Sequence, residues 1–191
     1  EIASTTPEDC EPRPDGTIPL GEKFESVLGT LFESEHVLDA VVAQNEQQRR
    51  EMWARREAAG MMISTRIPSI NTDVAVPLDK VSTFIKRMDA ILPEIDPGFA
   101  PNVVSHLGDG NVHYSVWPKS QDPAVHDHIL EAVEDEALKL GGSFSAEHGI
   151  GVSKLPSMRR RKDPVALATM RAIKAALDPN GILNPGKVLP E

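Results

Sequence analysis

Two histidines flank an Asp-Gly pair in His106-Leu-Gly-Asp-Gly-Asn-Val-His113, and a Glu-His pair follows in Ser145-Ala-Glu-His-Gly-Ile-Gly151. Asp109-Gly110 is a strong two-residue hairpin signal, because a type I′ turn needs positive φ at both central positions. With those two residues as the turn, pairing runs Gly108 to Asn111, Leu107 to Val112 and His106 to His113. The two imidazoles then stand opposite each other, with Cβ atoms roughly 5 Å apart. That spacing suits one divalent metal ion, with Glu147 or His148 as a third ligand. Leu107 and Val112 fall on the opposite face, where they can pack as core. Two histidines and the Glu147 carboxylate leave coordination positions open for substrate or water, the arrangement of a catalytic metal site. His148 is then free to act as a base, since an unperturbed imidazole titrates near about 6.5. The residues by themselves also fit a self-sufficient metal-dependent hydrolase, with His148 activating water, or a non-catalytic module that only binds metal.

These motifs sit in a chain of 191 residues, enough for one ordinary domain with a small appendage. Hydrophobic content of 40% and charged content of 26% are those of a globular protein. A net charge of −9 argues against a general nucleic-acid binder. The one basic run, Arg159-Arg-Arg-Lys162, reads as a solvated loop. Cys10 is the single cysteine, so no internal disulfide forms and a reducing compartment fits. No apolar run approaches the ~20 residues that span a bilayer. The start, Glu1-Ile-Ala-Ser4, has neither the basic residues nor the apolar core of a signal peptide. It also lacks an initiator methionine, so a piece of a longer chain is expected.

The elements that must position the motifs follow from periodicity. Residues 5–19 are rich in proline and acid and read as loop. Phe24, Val27, Leu28, Leu31 and Phe32 predict a helix over 21–33. Val37–Ala43 reads as a strand, and Asn45 caps a helix that runs to about Ala59 before Gly60. Strands are expected at 72–77, 102–107, 111–117 and 143–146, and an amphipathic helix at 79–92. Asp122-Pro123 is an N-cap followed by proline at the first helical position, and Gly141-Gly142 ends that helix. A last helix covers 164–177. Helices alternating with strands that include a hairpin indicate an α+β fold built on a ferredoxin-like antiparallel sheet with helices. A body over 1–151 and a short C-terminal helical segment over 152–191 are expected. His36, His126 and His128 read as surface or helix-packing residues. Arg49, Arg50, Arg55 and Arg56 crowd one helix around Trp53, where one of them could hold a carboxylate in a bidentate fork. Spacing alone does not choose which.

Three segments together resemble the C-terminal half of FAD-linked oxidases of the vanillyl-alcohol oxidase type. They are His106-Leu-Gly-Asp-Gly-Asn-Val-His113, Ser145-Ala-Glu-His-Gly-Ile-Gly151 and Leu177-Asp-Pro-Asn-Gly-Ile-Leu-Asn-Pro-Gly-Lys187. The likeness covers roughly residues 35–191 and is nearest to the D-lactate dehydrogenases, glycolate oxidases and D-2-hydroxyglutarate dehydrogenases. It implies the substrate, or cap, domain of a flavin-dependent D-2-hydroxy-acid oxidoreductase that makes a 2-oxo acid. The FAD would sit mainly in a preceding domain outside this chain, so the fragment alone should be inactive. The resemblance implies His106, His113 and Glu147 as ligands of a divalent metal, with zinc expected, and His148 as the base. It implies Arg56 on the substrate carboxylate, Asn111 near the substrate, and Asn184 in the segment that returns toward the flavin. The implied partners are the N-terminal FAD domain, a small 2-hydroxy acid and an electron acceptor (an electron-transfer flavoprotein, a quinone or a cytochrome), with a homodimer as one expected assembly. A cytoplasmic location is implied, or the mitochondrial matrix in a eukaryote. Two positions depart from the hydroxyglutarate enzymes. Gly60 stands where they carry threonine, and Asn71 where they carry lysine, which puts hydroxyglutarate itself in doubt as the substrate.

Overall fold

A computed structural model describes residues 2–106 and 108–190. The chain forms two compact units that divide between Arg56 and Glu57. The first holds α1 (Pro7–Cys10), α2 (Pro19–Glu33) and the start of α3 (Glu46–Met62). The stretch of 5–19 expected to be loop thus includes a short helix. Asn45 caps α3 as expected, its Oδ1 accepting the Gln48 N–H at 2.9 Å. Gly60 does not stop this helix. The strand expected at Val37–Ala43 is absent. A strand is stable only in a ladder, and this segment has no pairing partner among the described residues, leaving Leu38 91% and Val41 77% exposed. Of the opening four residues, Glu1 lies outside the described residues.

The second unit runs strand, helix, strand, strand, helix, strand. Its strands are β1 (Ile70–Asn71), β2 (Val74–Ala75), β3 (Ala100–His106) and β4 (Asn111–Trp117). β1 and β2 are two pieces of one lane. Both pair antiparallel with β4, Ile70 with Val116 and Val74 with Val112, and Thr72 between them donates its N–H to the Tyr114 carbonyl. β3 pairs antiparallel with the other edge of β4. Ala75 bridges to Ser143 on the outer side of β2, and the Ala146 N–H reaches the Asp73 carbonyl, so residues 143–146 form a fourth lane. In chain order the lanes lie 4-1-3-2. This is the α+β, ferredoxin-like sheet expected from the pattern.

One face of the sheet is covered by α4 (Val81–Ile95) and α5 (Pro123–Lys139). In α4 the buried residues Val81, Phe84, Met88 and Leu92 recur at helical spacing, as do Ile129, Val133 and Ala137 in α5. They meet Val74, Val112, Tyr114 and Val116, every second residue of the central lanes. Phe84 packs edge-on against Tyr114 at 5.9 Å. Asp122 caps α5 by accepting the Ala124 N–H at 2.9 Å. Among the described residues, no helix is long and apolar enough to cross a membrane.

Gly141 and Gly142 end α5, and the second sets how closely the chain returns to the sheet. A Cβ on Gly142 would lie 1.9 Å from the Ala75 carbonyl oxygen and 2.9 Å from that of Ala137. Gly142→Ala is therefore expected to lower stability by on the order of 3 kcal/mol. Urea unfolding of the chain reads this directly, and an unchanged midpoint would show that the fourth lane is not held this tightly.

Residues from 152 onward hold α6 (Leu155–Arg161) and α7 (Pro164–Leu177). Met158 and Leu167 pack with Phe144 in a small second core. The basic run expected to be a solvated loop is instead largely helical and anchored. The Arg161 side chain is buried, 3.0 Å from Glu134 and 2.7 Å from Asp135, while Arg160 pairs with Glu131. Acids on α5 supply the charge that draws this run inward, which the local basic pattern could not reveal.

Candidate metal centre and substrate cleft

The sheet face opposite the helices carries the polar residues of β4. Val112, Tyr114 and Val116 point to the core, so Asn111, His113 and Ser115 share the other face. The hairpin register differs from the expected one. His106 pairs with Asn111, and His113 pairs with Val104. Four residues separate the strands instead of two. The cause is local: the N–H groups of Asp109 and Gly110 both donate to the His106 carbonyl, and the Asp109 carboxylate accepts the Asn111 N–H at 3.0 Å. A four-residue connection satisfies those groups better than a two-residue turn. The shift is two residues, an even number, so both histidines stay on one face as diagonal neighbours. Their rings lie 5.3 Å apart. Val112 is core as expected; Leu107 lies outside the described residues.

The fourth lane delivers the Glu-His pair to the same place. Glu147 Oε1 is 3.1 Å from His113 Nε2 and 3.3 Å from His148 Nε2. The His113 and His148 rings stack at 5.3 Å. One donor atom from each of His106, His113 and Glu147 falls within 4.8 Å of the others. Bonds of about 2.0–2.1 Å in a tetrahedral zinc site place neighbouring donors about 3.3 Å apart, so this nitrogen and oxygen set fits a divalent metal. The mixture of imidazole and carboxylate suits zinc and its neighbours over calcium or magnesium.

Asp73 belongs to this cluster, although it stood unnoticed inside an apolar strand pattern. The continuous register through β1 and β2 puts it directly across from His113. Its Oδ2 accepts the backbone N–H groups of Glu147 and His148 and the Lys154 ammonium, each at 3.0 Å. Burial pushes its pKa up, but the His148 N–H, the Lys154 ammonium and the Glu147 N–H outweigh it, bringing the value to about 2. An acid flanked by alternating valines was the available signal. Only a correct strand pairing would have connected it to His113.

Beside the cluster lies a cleft of about 660 Å³ whose walls include Ser69, Asn71, Asp73, His113, Ser115 and His148. His148 is the open member, with a side chain 65% exposed. Ser115 and Asn111 are buried, and the Ser115 hydroxyl and the Asn111 side-chain oxygen have no hydrogen-bond partner among the described residues. Arg56 lies in the first unit, 5.8 Å over the Trp53 ring, where both line a largely apolar cleft of that unit. Asn184 follows α7 with a positive φ of 45°, in a turn tied down by Asp178, which accepts the N–H groups of Ile182 and Leu183. Asn184 makes no hydrogen bond among the described residues.

The order of lanes and the two-histidine, one-glutamate cluster point to a known architecture. A profile described as FAD linked oxidases, C-terminal domain, matches residues 11–188. The chain belongs to this family. The chain is 37% identical over 179 residues to a D-2-hydroxyglutarate dehydrogenase of Stutzerimonas stutzeri (strain A1501), covering 87% of this chain and 38% of that protein. The mitochondrial D-2-hydroxyglutarate dehydrogenase of Danio rerio is 34% identical over 172 residues, covering 89% of this chain and 32% of its own length. A probable mitochondrial D-lactate dehydrogenase, also of Danio rerio, is 34% identical over 157 residues, covering 79% of this chain and 31% of its own. The chain thus spans about a third of the length of the curated relatives it matches. Within an FAD-linked oxidase C-terminal domain, the cluster at the end of β3, on β4 and just after the fourth lane is the candidate centre.

Proposed function

We propose that this chain is the substrate- and metal-binding domain of a flavin-dependent D-2-hydroxy-acid dehydrogenase, which oxidises a 2-hydroxy acid to a 2-oxo acid. The observation that carries the reading is the convergence of His106, His113 and Glu147 donor atoms within 4.8 Å, with His148 exposed at the edge of a cleft. The names of the relatives support the substrate class. His106, His113 and Glu147 hold a divalent metal, with zinc the best match to the donors. A metal held there would supply Lewis-acid chemistry toward the substrate hydroxyl, and FAD, held mainly by a preceding domain, would supply the hydride acceptor. His148, at the exposed edge of the cleft, receives the hydroxyl proton. Arg56 pairs with the substrate carboxylate, Asn111 supports the substrate, and Asn184 lies toward the flavin. Residues 1–151 act as the cap and 152–191 as the C-terminal helical segment. The electron acceptor is a partner protein or a quinone.

The test uses the protein in which this chain is joined to its flavin-binding domain. Anaerobic D-lactate or D-2-hydroxyglutarate should bleach the flavin, and His148→Ala should slow bleaching by about 10²–10⁴-fold. Bleaching at the unaltered rate in His148→Ala would sink the assignment.

A further inference from the structure

The Asp73 carboxylate does more than a loop anchor needs. All of its hydrogen bonds fall on one oxygen, Oδ2. The other, Oδ1, is buried and has no hydrogen-bond partner among the described residues. A buried, unpartnered carboxylate oxygen is costly, so its persistence asks for a reason. It faces the His113 imidazole, whose Nδ1 lies 3.9 Å away. The opposite nitrogen of the same ring, Nε2, points to Glu147 Oε1 at 3.1 Å. His113 therefore stands between two carboxylates, one at each nitrogen. Its place in the ladder, directly across from Asp73, makes this arrangement a property of the sheet.

We propose that Asp73 is the positioning residue of this centre: Oδ2 fixes the Glu147-His148 backbone, and Oδ1 holds the His113 imidazole with its proton on Nδ1. A histidine that binds a metal through Nε2 must leave that nitrogen unprotonated, and an acceptor beside Nδ1 selects the required tautomer. A ring and carboxylate adjustment of about 1 Å turns the 3.9 Å approach into a charge-assisted hydrogen bond. Lys154, bonded to both Asp73 and the Ser145 hydroxyl, completes the anchor from the far side. One acid thus sets three groups at once: the glutamate ligand, the exposed histidine and the tautomer of the central histidine. The proposal rests on the metal reading above only for its affinity arm.

Two measurements on the full 191-residue chain test it. In metal-free protein with ¹⁵N-labelled histidine, long-range proton–nitrogen correlation reports which ring nitrogen of His113 is protonated. Nδ1 is expected, a result that a purely structural role for Asp73 would not require. Asp73→Asn offers a side-chain amide that can donate to Nδ1, and the proton should move toward Nε2. Zn²⁺ affinity, read by competition with a chromophoric chelator, should fall about 10–100-fold in that variant. If Asp73→Asn does not fold, the tautomer of the unaltered chain still decides. A His113 Nδ1 that carries no proton in the unaltered chain, or unaltered Zn²⁺ affinity in a folded Asp73→Asn, overturns the proposal. An unaltered chain that shows the Nδ1 proton but binds no Zn²⁺ supports the orientation by Asp73 and counts against the metal reading alone.

Discussion

His113→Ala is expected to weaken Zn²⁺ binding by about 100–1,000-fold. Four-ligand zinc sites are worth about 10–16 kcal/mol, so one protein ligand carries about 3–4 kcal/mol, and each 1.4 kcal/mol is tenfold in affinity. His113 is the centre of the cluster, packed against His106 on one side and His148 on the other. Its loss separates the remaining donors. The control is His126→Ala, since His126 Nε2 meets the Ser120 carbonyl at 2.8 Å in the turn before α5. That variant should bind as the unaltered chain does. Chelator competition measures both. Equal affinity in His113→Ala and the unaltered chain would remove the metal centre from the account and leave a polar cleft.

Arg161→Ala is expected to destabilise the second unit by about 3–5 kcal/mol at neutral pH, a fall in melting temperature of roughly 10 °C. Arg161 and Glu134 are both deeply buried, with 5% and 4% of their side chains exposed, and lie 3.0 Å apart. Burial pushes the Glu134 carboxyl above its ordinary range, while the Ser157 hydroxyl and the Arg161 guanidinium draw it down. Without the arginine the shift grows upward. An acid whose folded pKa exceeds its unfolded one favours the fold while protonated, and that advantage is lost as pH rises above the unfolded value. The penalty of Arg161→Ala should therefore shrink as pH is lowered toward the ordinary glutamate range and grow toward neutrality. Thermal melts at about pH 5 and about pH 7.5 give the sign. Glu134→Leu in the same background should recover much of the loss, because an unpaired buried charge is worse than none. A pH-independent penalty would place the cost in lost packing of the arginine stem.

What could be read from the sequence was what local chemistry decides. The Asp122-Pro123 start of α5 and the apolar spacing of α4 need no knowledge of the rest of the chain, and both appear where expected. The two-histidine clamp was legible because its residues share one sheet face. Its register was not, since it depends on where the Asp109 carboxylate and the His106 carbonyl find partners, and on β4 being paired along both edges. Val37–Ala43 has strand-like residues but no neighbour to pair with among those described. Asp73 and Arg161 look unremarkable in sequence because their meaning lies in partners far along the chain: His148, 75 residues from Asp73, and Asp135, 26 residues from Arg161.

The diagonal relation of His106 and His113 separates the clamp from the count of residues between them. β4 is held on both edges, so a homologue could lengthen the turn after His106 and keep both imidazoles on the same face. One extra residue inside β4, between Asn111 and His113, would instead rotate His113 into the place of the core Tyr114 and turn that tyrosine to the opposite face. In evolutionary terms, the turn is free to drift in length while the strand is locked in parity. A search keyed to a fixed spacing between the two histidines would overlook any homologue that lengthened the turn and kept the same centre.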